Sequence, residues 1–458
     1  MKVIVCGAGQ VGFNIAKHLS EQQNDVTVID SSRKLIRKIN ESLNVQGIVG
    51  HASDPTILAQ ADAINAELLV AVTQSDEVNM VACQVSRSLF NVSTNIARIR
   101  NQSYLKPIWA DLFTRENMPV DVIISPEIEV AEALCRRIEV PGAFNMIPLV
   151  DDKVRVLGLR LSEQCPVIDT PLRQLTELFP TLSTTVLAVV RDEKIFVPKS
   201  EDHLEVGDLI YTAVARENTD RTMKVFGYEE EEARRVVIVG GGNVGLNLAV
   251  LLEERHPEIT IKLIEINEDR SNLVAEKLER TVVLNGDALD RDMLIEASIS
   301  SAETVVAVAD DDEVNILSSL LAKREGCPRA ITLINNPIYG PLLGSLGIDI
   351  ALDPRETTVS TILRHIRKGR IRDLHSIQNG KAEIIEAEVL DSSDLVGKSI
   401  SGLKLQAHVR VGMIVRGDQA ITPKSSTVFE PGDRVVMLTL ADSVKQVEQM
   451  FSARAEFF

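Results

Sequence analysis

The chain has 458 residues, 45% apolar but only 3% aromatic, and a formal net charge of −17. That acidity argues against nucleic acid or an anionic lipid surface as a partner, since either calls for a basic patch, but it permits a positively charged protein. Five cysteines without paired spacing (Cys6, Cys83, Cys135, Cys165, Cys327), no apolar run near the ~18 residues a spanning helix needs, and no signal peptide imply a soluble chain with reduced thiols in the cytoplasm.

Residues 3–6 read as a short strand entering a glycine turn, and 11–22 have helical spacing. A strand at 25–30 ends on Asp30, a Ser-capped helix follows over 31–40, and 45–49 is again a strand. Further strands are expected at 66–72, 96–100 and 120–124, between helical segments. This alternation implies a parallel sheet with helices on both faces, and the aliphatic composition suits strands buried on both sides. From Pro141-Gly142 onward the pattern changes to short strands broken by turn signals such as Gly207-Asp208. The glutamate run at 229–232 is the best linker in the chain, because like charges stay solvated.

The whole pattern then repeats. CGAGQVGFNIAKHL at 6–19 matches VGGGNVGLNLAVLL at 239–252, and DEVN is identical at Asp76–Asn79 and Asp312–Asn315. VPKSEDHLEVGDLIYTAV at 197–214 matches TPKSSTVFEPGDRVVMLT at 422–439. The expected fold is therefore α/β, two Rossmann-like parallel-sheet domains alternating with two small β-rich α+β domains. The expected boundaries are 1–140, 141–227, a linker at 228–233, 234–368 and 369–458.

Each large unit carries a nucleotide fingerprint. Gly7, Ala8, Gly9, Gln10, Val11 and Gly12 form the first turn; Gly240, Gly241, Gly242, Asn243, Val244 and Gly245 form the second. The first glycine permits the tight turn, the second lets a pyrophosphate approach the backbone, and the third lets helix and strand pack closely. The free N–H groups at the helix start then face the phosphates. Asp30 lies 18 residues after Gly12 and Glu265 lies 20 after Gly245, each at the end of the next strand. Such an acid accepts hydrogen bonds from ribose hydroxyls and repels a 2′-phosphate, favouring NAD(H) over NADP(H), although Arg33 lies close by. Thr73 and Gln74, with Ala309 and Asp310 in the second copy, follow a strand end where ligands sit in open α/β sheets. Arg98 and Arg100 on the next strand offer a phosphate partner, unless Arg98 simply pairs with a nearby acid. The second copy has Leu333 and Asn335 instead, so the two sites should differ in charge.

A dehydrogenase would need a substrate domain presenting His, Lys or Arg beside the nicotinamide. The small units share only PKS and GD, and the seven histidines show no metal-like spacing. This favours a sensor over a catalyst. An NAD-dependent oxidoreductase and a nucleotide-binding scaffold without a transport link remain the alternatives.

The paired glycine turns with their acids, the DEVN segments and the trailing small β units resemble the RCK/KTN regulatory family across nearly the whole chain. The resemblance implies a peripheral cytoplasmic regulator beneath a potassium-translocating membrane subunit. It implies a homo-oligomer, a tetrameric ring of eight Rossmann lobes, that binds NAD(H), and ATP or ADP in relatives, and gates the pore. Carried over, the nucleotide contacts fall on Gly7–Val11, Asp30, Thr73, Gln74 and Arg98, and on Gly240–Val244, Glu265 and Asp310. The family's GDA segment reads Gly50-His51-Ala52 in the first copy and is kept as Gly286-Asp287-Ala288 in the second.

Overall fold

The computed structural model describes every residue except 22, 180–181, 229–232, 337, 367–370, 379, 404, 406–407, 445–446, 448–449 and 452–458. The glutamate run expected as a linker and a boundary expected near Lys368-Gly369-Arg370 lie outside the described residues.

The first lobe is built from β1 (Lys2–Cys6), α1 (Gln10–Glu21), β2 (Asp25–Asp30), α2 (Arg33–Ser42), β3 (Gln46–Val49), α3 (Pro55–Gln60), β4 (Leu68–Ala71), α4 (Asp76–Phe90), β5 (Thr94–Arg98), β6 (Val122–Ile124) and α5 (Pro126–Glu139). Its six strands are parallel in the order β3-β2-β1-β4-β5-β6. Strands β1 and β4 are buried throughout or nearly so, as expected for aliphatic runs covered on both faces. Helix α1 buries Val11, Ile15, Ala16 and Leu19, a helical stripe against the sheet. Side chains of Ser32, Asp54 and Ser75 cap α2, α3 and α4, and Asn91 ends α4 in the left-handed conformation.

In the small lobe that follows, β7 (Asn145–Leu149), β8 (Val154–Arg160), α6 (Leu172–Leu178), β9 (Thr184–Arg191), β10 (Lys194–Phe196), β11 (Leu209–Ala215) and α7 (Thr219–Val225) form an antiparallel sheet in the order β10-β9-β11-β8-β7 with two short helices. The second large lobe repeats the first: β12 (Arg235–Val239), α8 (Asn243–Arg255), β13 (Thr260–Glu265), α9 (Glu268–Lys277), β14 (Val282–Asn285), α10 (Arg291–Glu296), β15 (Thr304–Ala307), α11 (Asp312–Arg324), β16 (Arg329–Leu333), α12 (Gly340–Leu346), β17 (Ile350–Leu352) and α13 (Pro354–Ile366). Its sheet order is β14-β13-β12-β15-β16-β17. The chain finishes with β18 (Ile371–Ile377), β19 (Ala382–Glu388), β20 (Val409–Arg416), β21 (Gln419–Ile421) and β22 (Arg434–Leu440), antiparallel in the order β18-β19-β22-β20-β21.

Alternation along the sequence becomes pairing in space. Met1–Cys135 and Ala233–Ile366 form one compact unit, and Arg136–Glu232 and Arg367–Phe458 form the other. Within the first unit, α13 of the second large lobe packs on α1 of the first. Its Val359, Ile362 and Leu363 are buried in the same core as Val11, Ile15 and Val70. Fully burying an aliphatic side chain stabilises by about 1.5–3 kcal/mol, so these residues tie the lobes firmly. In the same unit Arg255 donates to both Glu132 oxygens (2.8 and 2.6 Å), and Thr361 Oγ1 donates to Glu129 (2.9 Å).

The second unit has a shared core in which Val156, Leu187 and Ala213 of one sheet meet Ile384, Met413 and Val436 of the other. Gly412 makes room for this packing, because a Cβ there would lie 2.5 Å from Leu187 Cδ2. The repeated GD pair is anchored on its aspartate. Arg191 Nε donates to buried Asp208, and Arg416 Nε donates to buried Asp433, each at 2.8 Å. Each carboxylate also accepts the backbone N–H of the preceding turn, from Glu205 (2.9 Å) and Glu430 (2.8 Å).

Candidate functional site

In both large lobes the strand order reverses between the first strand and the fourth, β1/β4 and β12/β15. Connections leave the sheet in opposite directions there, which opens a crevice beyond the carboxyl ends of the strands. The glycine turn opens into that crevice in each lobe.

Gly7 leaves β1 with φ +112°, a conformation that side chains rarely adopt. Its N–H donates to the Ile29 carbonyl (2.7 Å), which fastens the turn to β2. A Cβ on Gly12 would lie 1.9 Å from the Gly7 carbonyl oxygen, so only glycine lets α1 start this close to the turn. Gly9 differs: a Cβ there meets nothing within 4 Å. Its bare backbone faces open space, as a surface approached by a ligand requires. Gln10 is exposed, whereas Val11 is buried in the core and turns only its backbone to the crevice.

Asp30 ends β2 within reach of this turn. Its Oδ2 accepts the Ala8 N–H and its Oδ1 the Ser32 N–H, both at 2.7 Å. The carboxylate is thereby fixed at the edge of the glycine turn, with lone pairs left over. On the other flank Gly7 lies against Thr73: the added Cβ would be 3.0 Å from the Thr73 nitrogen. Arg98 Nη2 donates to the Thr73 carbonyl (2.7 Å). Asp30, Ala8, Gly7, Thr73 and Arg98 therefore form a continuous rim, and Gln74 stands exposed beside it.

Arg98 is half-buried, and its Nε has no hydrogen-bond partner. Among the described residues it makes no ion pair with a carboxylate. Burial, and then the neighbouring Arg100, pull its guanidinium below its ordinary range, while Glu127 and Asp76 act against this. A partly desolvated cation at a strand end without a carboxylate partner is suited to an anion. Arg100 belongs to another role. It lies beyond the end of β5, its N–H donates to Asp76 (3.0 Å), and its exposed side chain pairs with Glu127 (3.1 Å).

The DEVN segment, identical in the two large lobes, has a mechanical role. Asn79 Oδ1 accepts from Thr73 N (2.9 Å) and Thr73 Oγ1 (2.7 Å), and its Nδ2 donates to the Arg98 carbonyl (2.8 Å). Asn315 repeats this with Ala309 N (2.7 Å) and the Leu333 carbonyl (3.1 Å). Asp76 receives the N–H groups of Arg100 and Asn101, and Asp312 those of Asn335 and Asn336. The motif thus holds together the two strand-end loops that flank the crevice.

The second site keeps the plan with different chemistry. Gly240 has φ +105°, a Cβ on Gly245 would lie 2.0 Å from the Gly240 carbonyl, and a Cβ on Gly242 meets nothing. Glu265 accepts from Gly241 N (2.6 Å) and Asn267 N (2.9 Å). Asn243 is exposed and Val244 half-buried at the start of α8. Asp310 is exposed where the first lobe has Gln74, and Leu333, nine-tenths or more buried, takes the place of Arg98. His51 and Asp287, at matching positions after β3 and β14, are both exposed. Sequence reasoning missed Arg270, whose Nε donates to the Gly241 carbonyl (2.6 Å) and whose Nη2 donates to Asn243 Oδ1 (3.2 Å). The available signal was asymmetry: the matching residue in the first lobe, three after the capping Ser32, is Leu35. An open polar cleft of about 500 Å³ brings Gln74, Glu77, Arg100 and Glu127 of the first lobe together with Asn243 of the second.

This geometry defines a class: a tandem nucleotide-binding protein of the Rossmann type, with each binding-type lobe followed by a small β lobe. The comparisons make the class specific. The TrkA-N domain family matches residues 3–126 and again 236–354, and the TrkA-C domain family matches 384–452. A Trk system potassium uptake protein TrkA of Azorhizobium caulinodans is 47% identical over the full length of both chains. A protein of the same name from Haemophilus influenzae is 36% identical, again over all of both chains. Among solved structures, the GsuK RCK domain covers 99% of this chain and 95% of its own with a TM-score of 0.60 at 17% identity. The GsuK channel bound to NAD aligns with the same TM-score over 99% of this chain and 79% of its own. The chain belongs to the TrkA family of potassium uptake proteins, a regulatory family and not an enzyme family. No described helix is long and apolar enough to cross a membrane.

Proposed function

We propose that the chain is the nucleotide-sensing subunit of a potassium uptake system and that its first lobe binds NAD(H). The observation that carries this reading is the contrast within one turn: Gly12 is closed off by protein, whereas Gly9 faces open space beside a fixed carboxylate. The Arg98 guanidinium, without a carboxylate partner among the described residues, fits the same ligand. In this reading the backbone of Gly7–Val11 and the start of α1 hold the pyrophosphate, and Asp30 accepts the adenosine ribose hydroxyls. Arg98, steadied by Thr73, balances phosphate charge, and Gln74 borders the distal half. In the second lobe Gly240–Val244 and Glu265 take the corresponding places, and Asp310 stands at the position of Gln74. The nicotinamide, if reduced, has no redox task; the ligand acts through where it binds.

The transport role is inferred from family membership. The regulated partner is a membrane potassium-translocating subunit of TrkH or TrkG type. The chain docks on it from the cytoplasmic face as a homotetrameric ring, and ATP or ADP competes with NAD(H). A ligand shifts such an assembly only by its difference in affinity between two states. The domain limits 1–140, 141–227, 234–368 and 369–458 rest on the sequence pattern. Two measurements test the reading: calorimetry of NADH, NAD, ATP and ADP on the whole chain, and potassium flux through the partner reconstituted with it. Binding that leaves flux unchanged would remove the gating role; steady hydride transfer to a substrate would restore the oxidoreductase alternative.

A further inference from the structure

Taking the two glycine turns as nucleotide sites, as proposed above, we infer that Arg270 makes the second lobe selective for a short nucleotide, an adenosine with a single phosphate. The two lobes anchor a cation on opposite sides of the crevice, since exposed Arg33 of the first lobe makes no bond to its glycine turn among the described residues. In the first lobe it is Arg98, at the end of β5, beyond the switch point from Asp30. In the second lobe that position is the apolar Leu333, and the cation is Arg270 in the first turn of α9, directly after the strand that carries Glu265.

Position along the ligand follows from the acid. A carboxylate at the end of the second strand takes the adenosine ribose, so the adenosine half lies on the β13/α9 side. Arg270 is on that side, and it is held in place. Its N–H donates to the Asn267 cap (2.8 Å), its Nε to the Gly241 carbonyl (2.6 Å) and its Nη2 to Asn243 (3.2 Å). A guanidinium has five N–H donors, and the two side-chain bonds leave others free at the edge of the turn where the first phosphate rests. No carboxylate pairs with it among the described residues.

The far side of the same crevice repels further phosphates. Asp310 is exposed there and is followed by Asp311, where the first lobe reads Gln74 and Ser75, while the next two acids are common to both lobes. One phosphate beside Arg270 is balanced, whereas a second and third would extend toward carboxylates where Leu333 offers no charge and Arg355 lies beside Asp353. In the first lobe Arg98 supplies a cation on that side, which suits a longer ligand.

The test uses the full-length chain. Gly9→Ala, whose Cβ meets nothing within 4 Å, fills the bare backbone of the first site, so the remaining binding reports the second lobe. Calorimetry on this variant is expected to show adenosine monophosphate binding at least tenfold more tightly than ATP. Adding Arg270→Leu, which installs the first lobe's residue, should weaken the monophosphate at least tenfold, and Arg270→Lys should restore part of the loss. Equal affinity for monophosphate and ATP, or a monophosphate affinity indifferent to Arg270→Leu, overturns the inference. NADH titrated into the unmodified chain separates the two levels. If NADH binds while the monophosphate does not, only the role of Arg270 falls; if neither binds, the glycine-turn reading falls with it.

Discussion

Two glycines three residues apart do opposite work, and substitution separates them. Gly9→Ala adds a methyl group to open space, so the thermal midpoint is expected to stay within a degree or two while NADH affinity falls at least tenfold. Gly12→Ala drives the same methyl into the Gly7 carbonyl at 1.9 Å. It should cost about 2–3 kcal/mol of stability, read as a lower denaturant midpoint. Asp30→Ala, which releases the Ala8 and Ser32 amides as well as the ribose, should weaken NADH binding markedly. Glu265→Ala should matter less to NADH, and a larger loss there would reverse the ranking of the two sites. The thiols give a different expectation. All five cysteines are buried, and burial pushes Cys6 up from its ordinary 9.0 to about 12. The folded state therefore keeps a proton that the unfolded chain releases near pH 9. This contribution to stability is complete below that pH and is lost as pH rises toward 12. At pH 8 a thiol reagent should find no reactive cysteine until denaturant is added. Residues of this kind were legible in the sequence because backbone geometry dictates them. Arg270 was not, because its reach depends on where α9 begins.

At the scale of elements, Asn79 and Asn315 show what an identical motif can conceal. DEVN occurs twice, which marked it as important without saying why. Its asparagine lies on a helix, faces inward and joins the ends of two neighbouring strands, a task visible only once β4 and β5 are paired. Asn79→Ala strands the Thr73 amide and the Arg98 carbonyl without their partners. A cost of about 2–4 kcal/mol is expected from unsatisfied buried groups. NADH affinity should fall as well, since both flanking loops loosen; Asn315→Ala should cost similar stability and leave the first site's affinity alone. A drop in stability with NADH affinity intact in Asn79→Ala would show that the motif braces the fold and not the crevice. The small lobes teach a related lesson. Their GD pair was read as a turn signal, which accounts for the glycine, while the aspartate is the buried partner of an arginine at the end of a strand 17 residues earlier. Spacing along the chain cannot reveal that pairing, because it arises across an antiparallel ladder.

The alternation of large and small units was legible across the molecule because each repeat carries its own pattern, period 3.6 or period 2. The pairing of like with like was not. It depends on side chains more than two hundred residues apart, such as Val11 with Ile362 and Leu187 with Met413. It also has a consequence for dissection. A fragment of residues 1–228 keeps the first large lobe but loses α13, and so uncovers the apolar stripe of α1 around Val11 and Ile15. The fragment retains α5, whose sequence ISPEIEVAEALCRRI parallels LDPRETTVSTILRHI of the lost helix. Two copies therefore can exchange α5 and cover each other's stripe, as identical elements do in swapped dimers. Light scattering on the fragment should give a dimer. Ile15→Asp, which places a charge in the exchanged contact, should shift it to monomer or to aggregate. A stable, folded monomer of unmodified 1–228 would mean that α1 does not need a helix from another lobe. The pairing of the two large lobes would then be a property of the linkage between them and not of their surfaces.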